Sequence, residues 1–225
     1  VAAGWSGTVT PVYVCGAFSP GAREYADIQA DQTNQDFEVQ GLSAPDSFEL
    51  AGPTRGETAV DAVHLRWTAA PCAAEYDVYA GPNPSPSWLL STATNEAMIA
   101  ITNSAAYYWH VVARNAAGET RSPATGDWVY QGVQTMTITG TASIATNDGT
   151  YDHSALIVNG GTVTMDGTHS FFSLVITNGG KVVHSAATTA QVSRLELTVD
   201  DVLAISSNSA IDVSGRGYLP GRTLG

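Results

Sequence analysis

The side chains that could do chemistry in this chain are a group of aspartates near its end, five histidines, two cysteines and a few aromatics. Asp148, Asp152, Asp166, Asp200, Asp201 and Asp212 are the carboxylates from which a glycosidic-cleavage pair would be drawn. That chemistry needs two carboxyls held ~5–9.5 Å apart across the bond. Cleavage by elimination needs a base beside a metal-stabilised carboxylate, and only Lys181, Arg194, Arg216 and Arg222 stand in the same third of the chain. His64, His110, His153, His169 and His184 include no His-x-x-x-His pair of the kind that grips a metal from one helix. His64 and His110 fall out of phase with the apolar residues around them, which predicts surface positions. His153, His169 and His184 could share a face, with their strand phase left open. No Gly-x-Ser-x-Gly elbow and no glycine-rich phosphate loop entering a helix is present. No catalytic residue, cofactor-binding residue or metal ligand can be assigned, so the sequence predicts a non-enzyme.

Cys15 and Cys72 are the only cysteines, and one intrachain disulfide is the expectation, with two separate buried thiols as the alternative. Their separation does not fit a zinc pattern of closely paired cysteines. Trp5, Trp88, Tyr108 and Trp128 could stack on sugar rings if exposed together, and Trp88 and Trp128 are the candidate glycan contacts. The alternative is that both tryptophans pack against their own sheet. Glu24, Asp27, Asp31, Asp36, Glu38, Asp46 and Glu49 follow one another with no base between Arg23 and Arg55. Such a run predicts a solvated face, and calcium is the sharper alternative because hard cations favour carboxylate oxygen. The spacing of Asp27, Asp31 and Asp36 does not match an EF-hand loop.

The chain that must position these groups has 225 residues, 44% of them hydrophobic and 13% charged. That charged share is about half the usual ~25%, while the hydrophobic share is enough for a packed core. A net charge of −12 argues against nucleic acid, whose phosphates need clustered Lys and Arg. No apolar run approaches the ~18 residues that span a bilayer, so no membrane insertion is expected within this chain. A start at Val1 predicts a mature form or a fragment.

Helical spacing is confined to Gly21–Ala30, where Ala22, Tyr25 and Ile28 recur. Elsewhere apolar and polar residues alternate between Gly, Pro, Asn and Asp, so the chain is predicted to be all-β. Composition separates three regions. Residues 1–43 hold one evident strand, Gly7 to Val14, and the acidic run from Glu24 to Glu38, which continues into the next region at Asp46 and Glu49. Residues 44–131 alternate strongly: Val63, Leu65 and Trp67; Tyr76 and Val78; Trp88 to Leu90; Met98, Ile99 and Ile101; Tyr107, Trp109, Val111 and Ala113; Trp128 and Tyr130. Asn115-Ala116-Ala117-Gly118 is a turn, and Gly81 to Pro86 is a loop because its prolines cannot serve an inner ladder.

This second region resembles the fibronectin type III family, which carries Leu-x-Trp, then Tyr-x-Val, then Tyr-x-aromatic-x-Val-x-Ala-x-Asn-x-x-Gly. Leu65 and Trp67, Tyr76 and Val78, and Tyr107 through Gly118 supply those positions. The resemblance implies a seven-stranded sandwich of two sheets with Trp67 in the core. It implies no chemistry, and the family's Arg-Gly-Asp contact tripeptide is missing.

From 132 to 225 the punctuation changes. Leu156-Ile157-Val158-Asn159-Gly160-Gly161-Thr162-Val163 echoes 19 residues later in Val175 to Val182. Looser copies run from Leu195 to Leu203 and from Ala210 to Gly215. Short strands joined by Asn-Gly corners at a near-constant period predict a β-solenoid. The region resembles the start of a right-handed parallel β-helix of bacterial surface and secreted proteins, with a second sandwich as the alternative. Enzymes of that fold act on acidic polysaccharides through acidic residues and calcium, which makes part of a lyase or hydrolase the enzymatic alternative. The expectation is an extracellular structural or adhesive module of a bacterial surface or filament protein, partnered by itself or by other surface proteins. The accessory glycan-binding portion of a polysaccharide-acting β-helix protein is the alternative.

Overall fold

A computed structural model describes residues 4–220, and every regular element among them is a strand. The N-terminal segment holds β1 (Trp5–Val9), β2 (Ala17–Ser19), β3 (Arg23–Ile28) and β4 (Glu38–Gln40), paired antiparallel as β1–β3 and β2–β4. The strand expected over 7–14 therefore begins earlier and stops at Val9. Pro11 has no N–H to give a ladder, and Val12 and Val14 alternate in sequence without finding cover.

The helical spacing of Tyr25 and Ile28 belongs to a strand. Trp5 pairs with Ile28 and Gly7 with Tyr25, so β3 carries one residue more than β1 at a bulge. Asp27 takes the left-handed conformation there, with φ 49°, and swings Ile28 back to the face of Tyr25. A bulge has imitated the i, i+3 step of a helix.

The sandwich follows as β5 (Leu50–Gly52), β6 (Thr58–Val60), β7 (Ala62–Trp67), β8 (Glu75–Gly81), β9 (Trp88–Thr92), β10 (Glu96–Ala100), β11 (Ala105–Asn115), β12 (Gly118–Ser122) and β13 (Trp128–Val133). One sheet has the order β10-β7-β5; the other runs β6-β13-β11-β8-β9, with β12 also on β11. The strand order makes a fibronectin-type-III-like sandwich in which β12 and β13 both pair with β11 as one broken last strand. The first strand is also broken, since β6 leaves β5 to pair parallel with β13. Alternation along β7, β8 and β11 buries Leu65, Trp67, Tyr76, Val78, Trp109, Val111 and Ala113. Tyr76 packs edge-on against Trp67 and Phe48, and its hydroxyl accepts the Ala70 N–H at 2.8 Å. A buried phenol is thereby satisfied inside an aromatic core.

The last third holds β14 (Thr135–Ile138), β15 (Ala142–Ile144), β16 (Ala155–Asn159), β17 (Thr162–Met165), β18 (Gly167–Thr177), β19 (Lys181–Val183), β20 (Leu195–Ile205) and β21 (Ala210–Ile211). Two parallel sheets, β14-β16-β18-β20 and β15-β17-β19-β21, make a solenoid of four rungs. Neither sheet closes on itself. The hairpins of a second sandwich are not formed, because neighbouring rungs run parallel throughout. Leu156, Val158, Val163, Met165, Phe171, Leu174, Ile176 and Val182 fill the interior.

The true register departs from the apparent sequence period. Leu156 stacks on Leu174 and Val158 on Ile176, an offset one shorter than the 19 residues between the paired Thr162 and Lys181 and between Val163 and Val182. The extra residue is absorbed at the corner Asn178–Gly179, where both take positive φ. The third copy is displaced further: Leu174 meets Leu203 and Ile176 meets Ile205. The stretch 210–215, taken from sequence as a fourth copy, begins as the second strand of that same rung. Corners stack closely, and a Cβ on Gly161 (φ 71°) would lie 2.1 Å from the Gly140 carbonyl oxygen.

By contact the chain divides into two compact units. One comprises Val1–Arg55, His64–Met98 and Tyr107–Val129; the other comprises Gly56–Val63, Ile99–Ala106 and Tyr130–Gly225.

Candidate functional site

Cys15 and Cys72 are joined in a disulfide with their Cα atoms 5.2 Å apart. The bond fastens the N-terminal segment to the loop between β7 and β8. Asn115 reinforces the junction by donating to the Ser43 and Cys72 carbonyls at 2.7 and 2.8 Å.

The structure does not bring Trp88 and Trp128 together. Trp88 lies opposite Tyr79 on the outward face of the sheet and is 57% exposed. Trp128 shares the phase of the buried Tyr130 and packs edge-on against Trp109, 6.1 Å between centroids. Strands β11 and β8 lie between theirs, so the two indoles address opposite faces.

The outward face is instead tied into a polar network. Asp77 accepts from Arg114 Nε at 3.0 Å, from the Ser91 hydroxyl, and from Trp88 Nε1 at 3.4 Å. His110 stacks flat on Tyr79 at 4.5 Å and holds Asp127 at 2.7 Å, which also receives Arg121 at 2.6 Å. The surface position expected for His110 is corrected by this cover, whereas His64 is exposed and paired with Glu96 at 3.0 Å. Burial, and then the positive charge of Arg121, lower the His110 pKa below 6.5 against the pull of Asp127.

In the solenoid, the candidate carboxylates are taken up by local structure. Asp166 accepts the backbone N–H of Ser185 at 2.8 Å and its hydroxyl at 2.5 Å. Asp148 accepts from Thr150 and Asp212 from Ser214, the short turns that aspartate favours. Those bonds lower both pKa values, the opposite of what a general acid requires. Asp152 holds the buried His169 at 3.2 Å, and the other ring nitrogen meets the Asp166 carbonyl at 3.2 Å. Neither nitrogen of His169 is left to serve as base or ligand. The Asp200–Asp201 pair lies inside β20, at a bulge opposite Phe172, and not at a turn as its sequence suggests. Among the described residues no group of three or more His, Cys, Asp and Glu is placed to hold a metal ion.

What the solenoid does present is its last rung. Strands β20 and β21 end their sheets, and no described strand pairs with their outer edges. Leu203 and Ile205 continue the inward ladder above Leu174 and Ile176, yet they are 52% and 43% exposed. Leu195, Leu197, Val192, Ile211, Val213 and Tyr218 line a depression of about 640 Å³ over the same rung. A row of unpaired backbone groups beside uncovered apolar side chains can accept another strand. Alternating sequence identified β20 as a strand; its pairing with β18 depends on register that the irregular period conceals.

No protein-family model matches the chain. No curated protein matches it either. Among solved structures, FN3tt is 17% identical, covering 41% of this chain and 97% of its own, with a TM-score of 0.30. The chicken CNTN1 FN1–FN3 domains are 12% identical over 55% of each chain, with a TM-score of 0.34. Pectate lyase Pel3 from Pectobacterium carotovorum is 10% identical, over 70% of this chain and 64% of its own, with a TM-score of 0.27. These likenesses are too low to bear on function; the strand order defines the fold.

Proposed function

We propose that this chain is a non-enzymatic structural and adhesive module of a bacterial extracellular or filament protein, working by spacing and strand-mediated contact. The observation that carries the reading is the uncovered last rung, β20 with β21. Its partner is a further rung, supplied by a second copy of this chain or by another surface protein; a rung supplied by further chain of the same protein is the outcome in which no larger species form. Extracellular placement is supported by the disulfide, which persists in oxidising compartments. The absence of an enzyme activity is supported by carboxylates committed to turns and by a buried histidine bonded at both nitrogens. Calcium has no role in the contact proposed. The glycan-binding alternative through Trp88 and Trp128 is weakened by their opposite faces.

Sedimentation velocity over a wide concentration range tests the reading. Wild-type protein is expected to form larger species that persist in chelator, and the double variant Leu203→Glu, Ile205→Glu is expected to stay monomeric. A wild type that remains monomeric throughout, alone and with candidate surface proteins, contradicts it.

A further inference from the structure

The N-terminal segment contains a groove of about 520 Å³ that the assembly reading does not use. Its aromatic wall is Trp5 and Tyr25, 5.8 Å apart and tilted by 46°. Gly7 makes that wall possible: any Cβ there would meet the Trp5 indole at 2.6 Å, so the ring lies across the strand. The opposite wall is the loop after β3, carrying Gln29, Asp31, Gln32 and Gln35.

That loop is fastened. Arg23 donates to the Asp36 carbonyl at 2.9 Å and sits over the Phe37 ring, closing its base. The Tyr25 hydroxyl donates to Gln35 Oε1 at 3.2 Å, which ties the ring to the loop. Gln29 and Gln32 each donate one amide N–H, to Asp27 and to the Ala30 carbonyl, at 2.5 and 3.1 Å, and each keeps a second N–H. The amide oxygens of these two glutamines and the Asp31 carboxylate are acceptors among the groove's lining residues.

The groove therefore pairs flat apolar surface with acceptors and the remaining amide N–H donors of Gln29 and Gln32. A matching occupant brings hydroxyls, which both donate and accept, and a C–H face to lay on an aromatic ring. Negative charge on it is disfavoured, because Asp31 is the one charged residue in the lining and no Lys or Arg belongs to it. We infer that this groove binds a neutral sugar ring of an oligosaccharide, with Trp5 and Tyr25 as the stacking wall and Gln29, Asp31 and Gln32 receiving its hydroxyls. The site is independent of the last rung and of Trp88.

Calorimetric titration with neutral gluco-, manno- and galacto-configured oligosaccharides, a uronic-acid oligosaccharide and choline tests the inference. Saturable binding to at least one neutral oligosaccharide is expected. Trp5→Ala should weaken it about ten-fold or more. Asp31→Ala and Gln32→Ala, on an exposed loop and without structural bonds from their acceptor oxygens, should weaken it about five-fold each. Trp88→Ala should leave it unchanged, and all four variants should sediment as the wild type does. No binding to any neutral sugar, preference for the uronate or for choline, or binding indifferent to both Asp31→Ala and Gln32→Ala overturns it.

Discussion

In the sandwich, Leu65, Val78, Trp109, Val111 and Ala113 are all wholly enclosed, because the inner faces of two sheets cover one another. In the solenoid, Leu156, Leu174 and Leu203 stand in one column, and their exposures are 0%, 0% and 52%. A sandwich uses each strand's partner sheet as its lid. A solenoid rung is covered by the next rung, so the same residue type at the same place in the repeat is core in one turn and surface in another. Function is expected where cover is missing, which is why the last rung, and not the sandwich interior, carries the proposal.

The largest effects should come from breaking what each region closes. Cys15→Ser with Cys72→Ser frees a crosslink spanning 57 residues, and chain entropy alone sets the loss at about 4 kcal/mol. Chemical denaturation of the oxidised wild type against the double variant checks this. In the solenoid, Gly161→Ala combines a positive φ with a Cβ directed into the Gly140 backbone, and at least about 2 kcal/mol should be lost. The same substitution at Gly56, where φ is also positive but nothing lies within 4 Å, should cost only the conformational share, about 1 kcal/mol.

A sharper contrast lies within one column. Leu174→Ala should cost ~2–5 kcal/mol, and Leu203→Ala well under half of that in dilute solution. Equal losses by denaturation would mean that the last rung is covered.

The smallest effect is a pH dependence of the sandwich. Burial and Arg121 lower the folded pKa of His110 below its unfolded value near 6.5, so the folded state binds fewer protons there. This contribution is fully present above pH 6.5 and is lost as pH falls through the folded value. Thermal denaturation of wild type and His110→Gln between pH 7.5 and 5 should show a shallower decline in the variant.

These contrasts also explain what was legible in sequence. Leu65, Trp67, Tyr76, Val78, Trp109 and Val111 could be placed because strict period-two alternation under a closed sandwich leaves each residue one choice of face. The solenoid was legible as a repeat through its Asn and Gly corners, but not in register. Asn178–Gly179 absorbs one residue and the β20 bulge another, and neither changes the apolar pattern. Those two irregularities hide which residues stack in one column. Bulge geometry likewise hid β3, and with it the Trp5–Tyr25 wall, because Tyr25 and Ile28 looked helical. For Trp88 and Trp128, sequence shows strand phase but not the two strands that lie between theirs.

Amide hydrogen exchange along β18 and β20, measured at low and high protein concentration, tests the central claim most directly. The account predicts that β18 is protected at both concentrations. The outward amides of β20 should exchange quickly in dilute protein and become protected as larger species appear. Protection of β20 equal to that of β18 at every concentration would show a rung already covered, and fast exchange that persists through assembly would place the contact elsewhere.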